Sequence, residues 1–285
     1  MRVKFPAYRR FSEARISAND ALMALLIGAR LGEQALSTSA AAPTARLPDL
    51  FGLIAGVERL NRTVGDAAEL LNSAEQHLVR MGIPYALSVH GAFVAAAVEM
   101  LREDGRDTDT STWDIPWRSD IKQLELKYAH EYVAERCEAE LPSDLLALFH
   151  ITRRLRNRII HFAGVAGSRL PTEYNRLPSS ARTSWERLAG RPVTVNAQGH
   201  LELAEGELIA TLAISRHLAQ TVNEMLVRTL SRRYWASVVV EDYRTSWPQR
   251  YGERDQRLRR LRGHARTWYR SLHLSDQELL EAVKD

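Results

Sequence analysis

Apolar residues recur near the helical period through most of the chain, and one segment alone has the alternation of β-strands instead. The exception, Arg191-Pro-Val-Thr-Val-Asn-Ala-Gln-Gly-His-Leu-Glu-Leu, alternates apolar and polar residues on either side of Asn196 to Gly199, as a short β-hairpin does. A chain with this pattern must bury its apolar stripes helix against helix. The expected class is therefore all-α: a helical bundle with a small β-hairpin insertion at about 191–204 and extra N- and C-terminal helices. The spacing predicts helices over about 12–36, 47–62, 65–81, 84–104, 118–139, 143–163, 173–189, 206–237, 253–271 and 276–284. Ser275-Asp-Gln-Glu278 has the reciprocal spacing of a capping box and marks the start of the last helix. Ser37 to Thr44 and Asp104 to Thr112 read as linkers. The division that follows is an N-terminal helical region at 1–82, a central bundle at 83–238 and a basic helical extension at 239–285.

With 45% hydrophobic and 26% charged residues among 285, the chain has the composition of an ordinary globular protein with a substantial core. No stretch approaches the roughly 18 to 20 uninterrupted apolar residues of a membrane span, and the first residues lack an apolar signal core, so the expected location is cytoplasmic, with no membrane partner. Cys137 is alone, forms no internal disulfide and has no catalytic partner nearby in the sequence. His77, His90, His130, His200 and His217 are scattered without a metal-ligand spacing, and read as structural. No glycine-rich phosphate loop appears, which argues against nucleotide hydrolysis. No metal and no cofactor is expected.

Net charge is +4, and its distribution matters more than its size. Arginines crowd the stretch from Arg228 to Arg270, with Tyr243, Trp247, Tyr251, Trp268 and Tyr269 among them. Such a segment suits phosphates and unpaired bases, and Arg257, Arg259, Arg260 and Arg262 are the candidate nucleic-acid contacts of this tail. A solvated helix face, or a dock for an acidic protein, would have the same composition.

The chemistry concentrates at Arg153-Arg-Leu-Arg-Asn-Arg-Ile-Ile-His161, the end of an apolar-periodic helix. Histidine exchanges a proton near neutral pH, and arginine is a fixed cation that grips phosphate oxygens in a bidentate fork. Projected at 100° per residue, Leu145, Leu148, Thr152, Leu155, Ile159 and Phe162 make an apolar stripe. His150, Arg154, Asn157 and His161 fall on the opposite wedge, within about 60° of one another. Arg156 lies on the flank, about 140° from His161, and its long stem brings the guanidinium within reach of that ring. Around a two-fold axis, two such wedges make one cleft with two histidines and several arginines. There one His removes a ribose 2′-hydroxyl proton, a second His or water protonates the leaving 5′-oxygen, and Arg156 offsets the growing phosphorane charge.

Arg156-Asn157-Arg158-Ile159-Ile160-His161 resembles the R-x(4–6)-H signature of the HEPN superfamily, in its common form with Asn directly after the Arg. The resemblance covers roughly residues 83–238. It implies an up-and-down HEPN-like bundle that dimerises into a composite, metal-independent endoribonuclease site and leaves 2′,3′-cyclic phosphate and 5′-hydroxyl ends. Many such proteins are toxins or antiviral-defence effectors, which makes an antitoxin or regulatory protein a possible partner. Carried over, the resemblance makes Arg156 and His161 catalytic, with Asn157 orienting them. Arg153, Arg154 and Arg158 would position RNA phosphates, and His150 would be either a second proton-handling group or a polar residue at the dimer seam. Glu131 and Glu135 would salt-bridge the motif arginines or orient His161. Some HEPN toxins carry, two residues after the His, a Tyr that is adenylylated to silence them; this chain has Ala163 there. The bare spacing also recurs at Arg259 to His264 and, lengthened, at Arg266 to His273. The contrasting expectation is a non-catalytic HEPN-like interaction module whose tail binds nucleic acid or an acidic partner.

Overall fold

The computed structural model describes residues 3–106, 126–247 and 254–284. Among them the chain is nearly all helix: α1 (Pro6–Ser37), α2 (Leu47–Phe51), α3 (Val64–Asn72), α4 (Ala74–Glu103), α5 (Leu126–Arg136), α6 (Ser143–His161), α7 (Arg169–Asn175), α8 (Ser179–Ala189), α9 (Glu205–Thr229), α10 (Arg232–Ser246), α11 (Arg254–Trp268) and α12 (Asp276–Lys284). Two 3-10 turns cover Val57–Leu60 and Arg270–Leu272. The hairpin pairs β1 (Thr194–Val195) with β2 (Leu201–Glu202) in antiparallel register. The class is all-α.

Local chemistry accounts for several boundaries. Pro6 occupies the first turn of α1, where its missing N–H costs nothing, so the helix starts six residues before the expected 12. Thr63 and Asp66 form a reciprocal capping box at α3. Ser275 and Glu278 do the same at α12, with the Ser275 N–H 2.7 Å from Glu278 Oε2. Asn196 Oδ1 accepts the N–H groups of Gln198 and His200 across the hairpin turn, which Gly199 closes at φ +79°.

Other boundaries differ from the sequence expectation. Pro84 lies inside α4, which runs unbroken where two helices, 65–81 and 84–104, are expected. Val79, Ile83, Ala86 and Leu87 are all buried around it, and that burial outweighs the missing backbone bond. The expected 206–237 helix is two helices, because Ser231 caps Tyr234 and restarts the chain as α10. Likewise 173–189 divides into α7 and α8 ahead of Pro178, and 47–62 breaks at Gly52 and Gly56. The start of the expected 118–139 helix and most of the Asp104 to Thr112 linker lie outside the described residues.

The chain forms two compact units. One comprises Met1–Arg15, Leu87–His150 and Ala213–Asp285; the other comprises Ile16–Ala86 and Ile151–Leu212. Position 82 falls inside α4, which passes from one unit to the other at Ala86 and Leu87, and position 238 falls inside α10. The first unit has an aromatic core of Phe5, Tyr8, Phe11, Phe93, Trp235 and Tyr269. Its amino-terminal strand of chain is stitched in by Asn223, which donates to the Val3 carbonyl at 2.7 Å, and by the Lys4 N–H on the Trp268 carbonyl. Buried Asp242 accepts from Arg9, His264 (2.9 Å) and Tyr269 (2.7 Å) in the same unit. Burial alone would raise the Asp242 pKa, yet these donors hold the carboxyl far below the usual carboxylate range. Burial raises the Cys137 thiol pKa, as befits an inert core cysteine.

In the second unit Gly206 opens α9 directly against α8, where a β-carbon would overlap the Ala189 carbonyl. Arg191 spans the hairpin, binding Glu207 at 2.8 Å and the Glu202 carbonyl at 2.8 Å. Among the described residues, nearly all the exposed large hydrophobics belong to this unit; only Trp247 and Val283 do not. Among the described helices α4 alone is long and apolar enough to cross a membrane, and half of its apolar window is buried inside the fold, as in a core helix.

Candidate active site

Helix α6 sets the site. Leu148, Phe149, Ile151, Thr152 and Leu155 are its buried residues, so the apolar stripe runs as expected through its middle. The stripe does not extend to Phe162. That residue follows the last helical turn and is 52% exposed, because the chain leaves the helix at His161 and turns it outward. On the other wedge His150, Arg154 and Asn157 are half-exposed and His161 is exposed.

Arg156, Asn157 and His161 all belong to the second unit. Arg156 Nη1 donates to Asn157 Oδ1 at 3.1 Å, so the asparagine holds the guanidinium from the adjacent position. His161 ends the helix, and its side chain makes no hydrogen bond or ion pair among the described residues. The N–H groups of Phe162 and Gly164 both close on the Arg158 carbonyl, at 3.2 and 2.9 Å. Ala163 and Gly164 take left-handed backbone, at φ +50° and +87°. The hairpin then clamps this exit: the Ala166 N–H reaches the Gly199 carbonyl at 2.9 Å, and the Leu201 N–H reaches the Gly164 carbonyl at 2.8 Å. The inserted strands thus fix the turn immediately after His161.

The neighbouring arginines divide by partner. Arg154 is ion-paired to Glu173, which also takes Arg169 at 2.9 Å, so its charge is already offset. Arg158 stacks on the Phe162 ring, 4.5 Å from its centre, and a β-carbon at Gly167 would sit 3.3 Å from its guanidinium. Arg153 is half-buried. His150 belongs to the first unit, where it lies 3.6 Å from Glu131. Burial, the largest single influence, pushes the Glu131 pKa up, but hydrogen bonds from His150 and the backbone, together with the nearby His150 and His130 rings, outweigh it and lower the pKa overall.

Sequence reasoning missed Arg80. A β-carbon at Gly164 would sit 3.3 Å from its guanidinium, which places this α4 cation against the turn after His161. Nothing in the local spacing could reveal it, since 84 positions separate the two. Arg80, Arg156 and Arg158 form no ion pair with a carboxylate among the described residues. Arg80 and Arg158 therefore stand against the turn after His161 with no carboxylate partner among the described residues, and Ile160, Phe162 and Val165 on either side of His161 are exposed.

The tail residues are placed differently. Arg257, Arg259 and Arg260 are exposed on α11, and Arg262 pairs with Asp276 at 2.6 Å. Leu261 and His264 are buried on the inner side of the same helix. No protein-family model matches this chain, and neither a curated protein nor a solved structure matches it.

Proposed function

We propose that this chain is a HEPN-type endoribonuclease that cuts RNA without a metal, at a composite site made by two copies of α6. The observation that carries the reading is the state of His161: a solvent-facing imidazole at a helix end, next to a clamped turn that holds cations, where among the described residues neither the ring nor those cations have a carboxylate partner. Exposed apolar residues beside this polar wedge suit a subunit seam, since an apolar patch rimmed by polar groups is a frequent mark of association. In such a dimer one His161 takes the proton of a ribose 2′-hydroxyl, and the 2′-oxygen attacks the adjacent phosphorus. The 5′-oxygen leaves with a proton from the second His161 or from water. Arg156, held by Asn157, neutralises the phosphorane, and Arg158 and Arg80 position neighbouring phosphates. A cytoplasmic toxin or antiviral effector, restrained by an antitoxin or regulatory protein, is the biological role that goes with this chemistry.

The test is RNA cleavage by the purified chain in chelator, with end-group analysis. The expected products carry 2′,3′-cyclic phosphate and 5′-hydroxyl ends. His161→Ala removes cleavage while light scattering still shows a dimer; a strictly monomeric protein, or an active variant, overturns the reading. The exposed arginines of α11 favour one other reading, a module that binds RNA or an acidic protein without cutting, for which neither preparation cleaves and both bind alike.

A further inference from the structure

Beyond the ribonuclease reading, the region where α11 gives way to the Arg270–Leu272 turn and α12 holds an open cavity of about 690 Å³, entirely within the first unit. Its wall carries four basic side chains: Arg262, Arg266, Arg270 and His273. Arg262 and Arg266 stand one helical turn apart and share a face of α11. Arg262 is engaged by Asp276, 2.6 Å away, the one carboxylate among the lining residues. Arg266, Arg270 and His273 are exposed, and their side chains make no hydrogen bond or ion pair among the described residues. A concave wall with cations of one sign focuses field and concentrates anions.

The turn that presents these groups is braced. His273 adopts left-handed backbone at φ +50°, a conformation rare for a residue with a β-carbon and one that collects at functional sites. Arg232 holds it there, donating to the carbonyls of Leu272 and His273, each at 3.0 Å, while Glu278 takes the same guanidinium at 2.5 and 2.9 Å. The remaining wall is apolar, with Ala265, Leu274 and Leu279.

We infer that this cavity binds a small organic phosphate, a phosphomonoester whose phosphate sits on Arg266, Arg270 and His273 and whose body lies against Leu274 and Ala265. Guanidiniums match phosphate oxygens in a bidentate fork, which a carboxylate-free pair of arginines leaves available. The volume is far more than a bare phosphate fills and falls in the usual range of about 300 to 1,000 Å³ for small-ligand sites. A single RNA strand fits less well. Such strands want a row of exposed aromatic rings to stack on, and of the two rings on this wall Tyr269 is 2% exposed with its hydroxyl on Asp242, which leaves His273 alone.

Calorimetry on the full chain with His161→Ala, which keeps RNA uncut and separates this result from the cleavage question, tests the site with four probes. Adenosine 5′-monophosphate is expected to bind, and adenosine and inorganic phosphate each to bind at least about tenfold more weakly. Arg266→Ala with Arg270→Ala is expected to lower the nucleotide's affinity by about a hundredfold, and Asp276→Asn to raise it. Both arginines are exposed and unpaired, so the melting curve should hold; if it does not, Arg266→Gln alone carries the test with about a tenfold loss. The assignment is overturned if the monophosphate fails to saturate at millimolar concentration, if inorganic phosphate binds as tightly, or if the arginine variants bind unchanged. It is equally overturned if a 5′-phosphorylated oligoribonucleotide binds and the monophosphate does not.

Discussion

The same spacing, Arg followed five residues later by His, occurs on α6 and on α11, and the two pairs meet opposite fates. On either helix the two members point about 140° apart, so a helix with one buried side tends to hide one of them. On α11 it hides the histidine: His264 is 7% exposed and bonded to Asp242 at 2.9 Å, while Arg259 faces solvent. On α6 it hides neither. The helix stops at His161, the hairpin clamps the exit, and Asn157 steadies Arg156 at 3.1 Å. A pair becomes available for chemistry by where its helix ends and what its tertiary neighbours take up, and the spacing carries neither piece of information.

The contrast is sharpest in activity. His161→Ala should lower RNA cleavage by about 10² to 10⁴-fold, the typical weight of a positioned general acid or base, with the thermal midpoint unchanged. His264→Ala should leave the cleavage rate of the folded protein intact; a rate lost equally in both variants would erase the distinction. Stability should respond in the opposite sense. Asp242→Ala leaves Arg9, His264 and Tyr269 without their shared acceptor and should cost about 3 to 5 kcal/mol in urea denaturation. His264→Ala strips one donor from the same carboxylate, for a loss of about 1 to 3 kcal/mol. Asn157→Ala should reduce cleavage by less than His161→Ala does and leave denaturation midpoints unmoved, since its one bond here is to a half-exposed guanidinium.

A further effect separates buried from exposed histidines by pH. His90 is fully buried, its Nε2 2.8 Å from His130 Nε2, and burial pushes its pKa down to about 3 from 6.5. Between those values the unfolded chain binds a proton that the folded chain refuses. Stability is therefore complete above pH 6.5 and falls as pH drops toward 3, by at most about 1.4 kcal/mol per pH unit from this group. Asp242 adds to the loss below its ordinary value of 3.8, since its folded pKa is also lowered. His90→Phe, packed among Phe11, Phe93 and Phe149, should flatten the slope near pH 5.5 in acid titrations followed by circular dichroism.

Much of the fold was legible because its signals are local. The capping box at Ser275 and Glu278, the Asn196 to Gly199 turn and the apolar stripe through Leu148, Thr152 and Leu155 each close within a few residues. Pro6 and Ser231 carry signals of the same kind, which set the start of α1 and the break between α9 and α10. Of the site, the outward wedge of α6 and the adjacency of Arg156 and Asn157 follow from helical geometry. The exposure of Phe162, the pairing of Arg154 with Glu173 and the nearness of Arg80 to Gly164 do not.

By itself, then, the amino-acid order determined that this chain is helical, where several helices are capped, and which residue types share the wedge on α6. Backbone hydrogen bonds and side-chain periodicity act over three to five positions, so the information is on the page of the sequence. Tertiary structure alone decided that helix α4 runs through Pro84, that Asp242 gathers an arginine 233 positions away, and that His264 is withdrawn while His161 is left to water. Burial and charge pairing are set by neighbours in space, and the chain must fold before those neighbours exist.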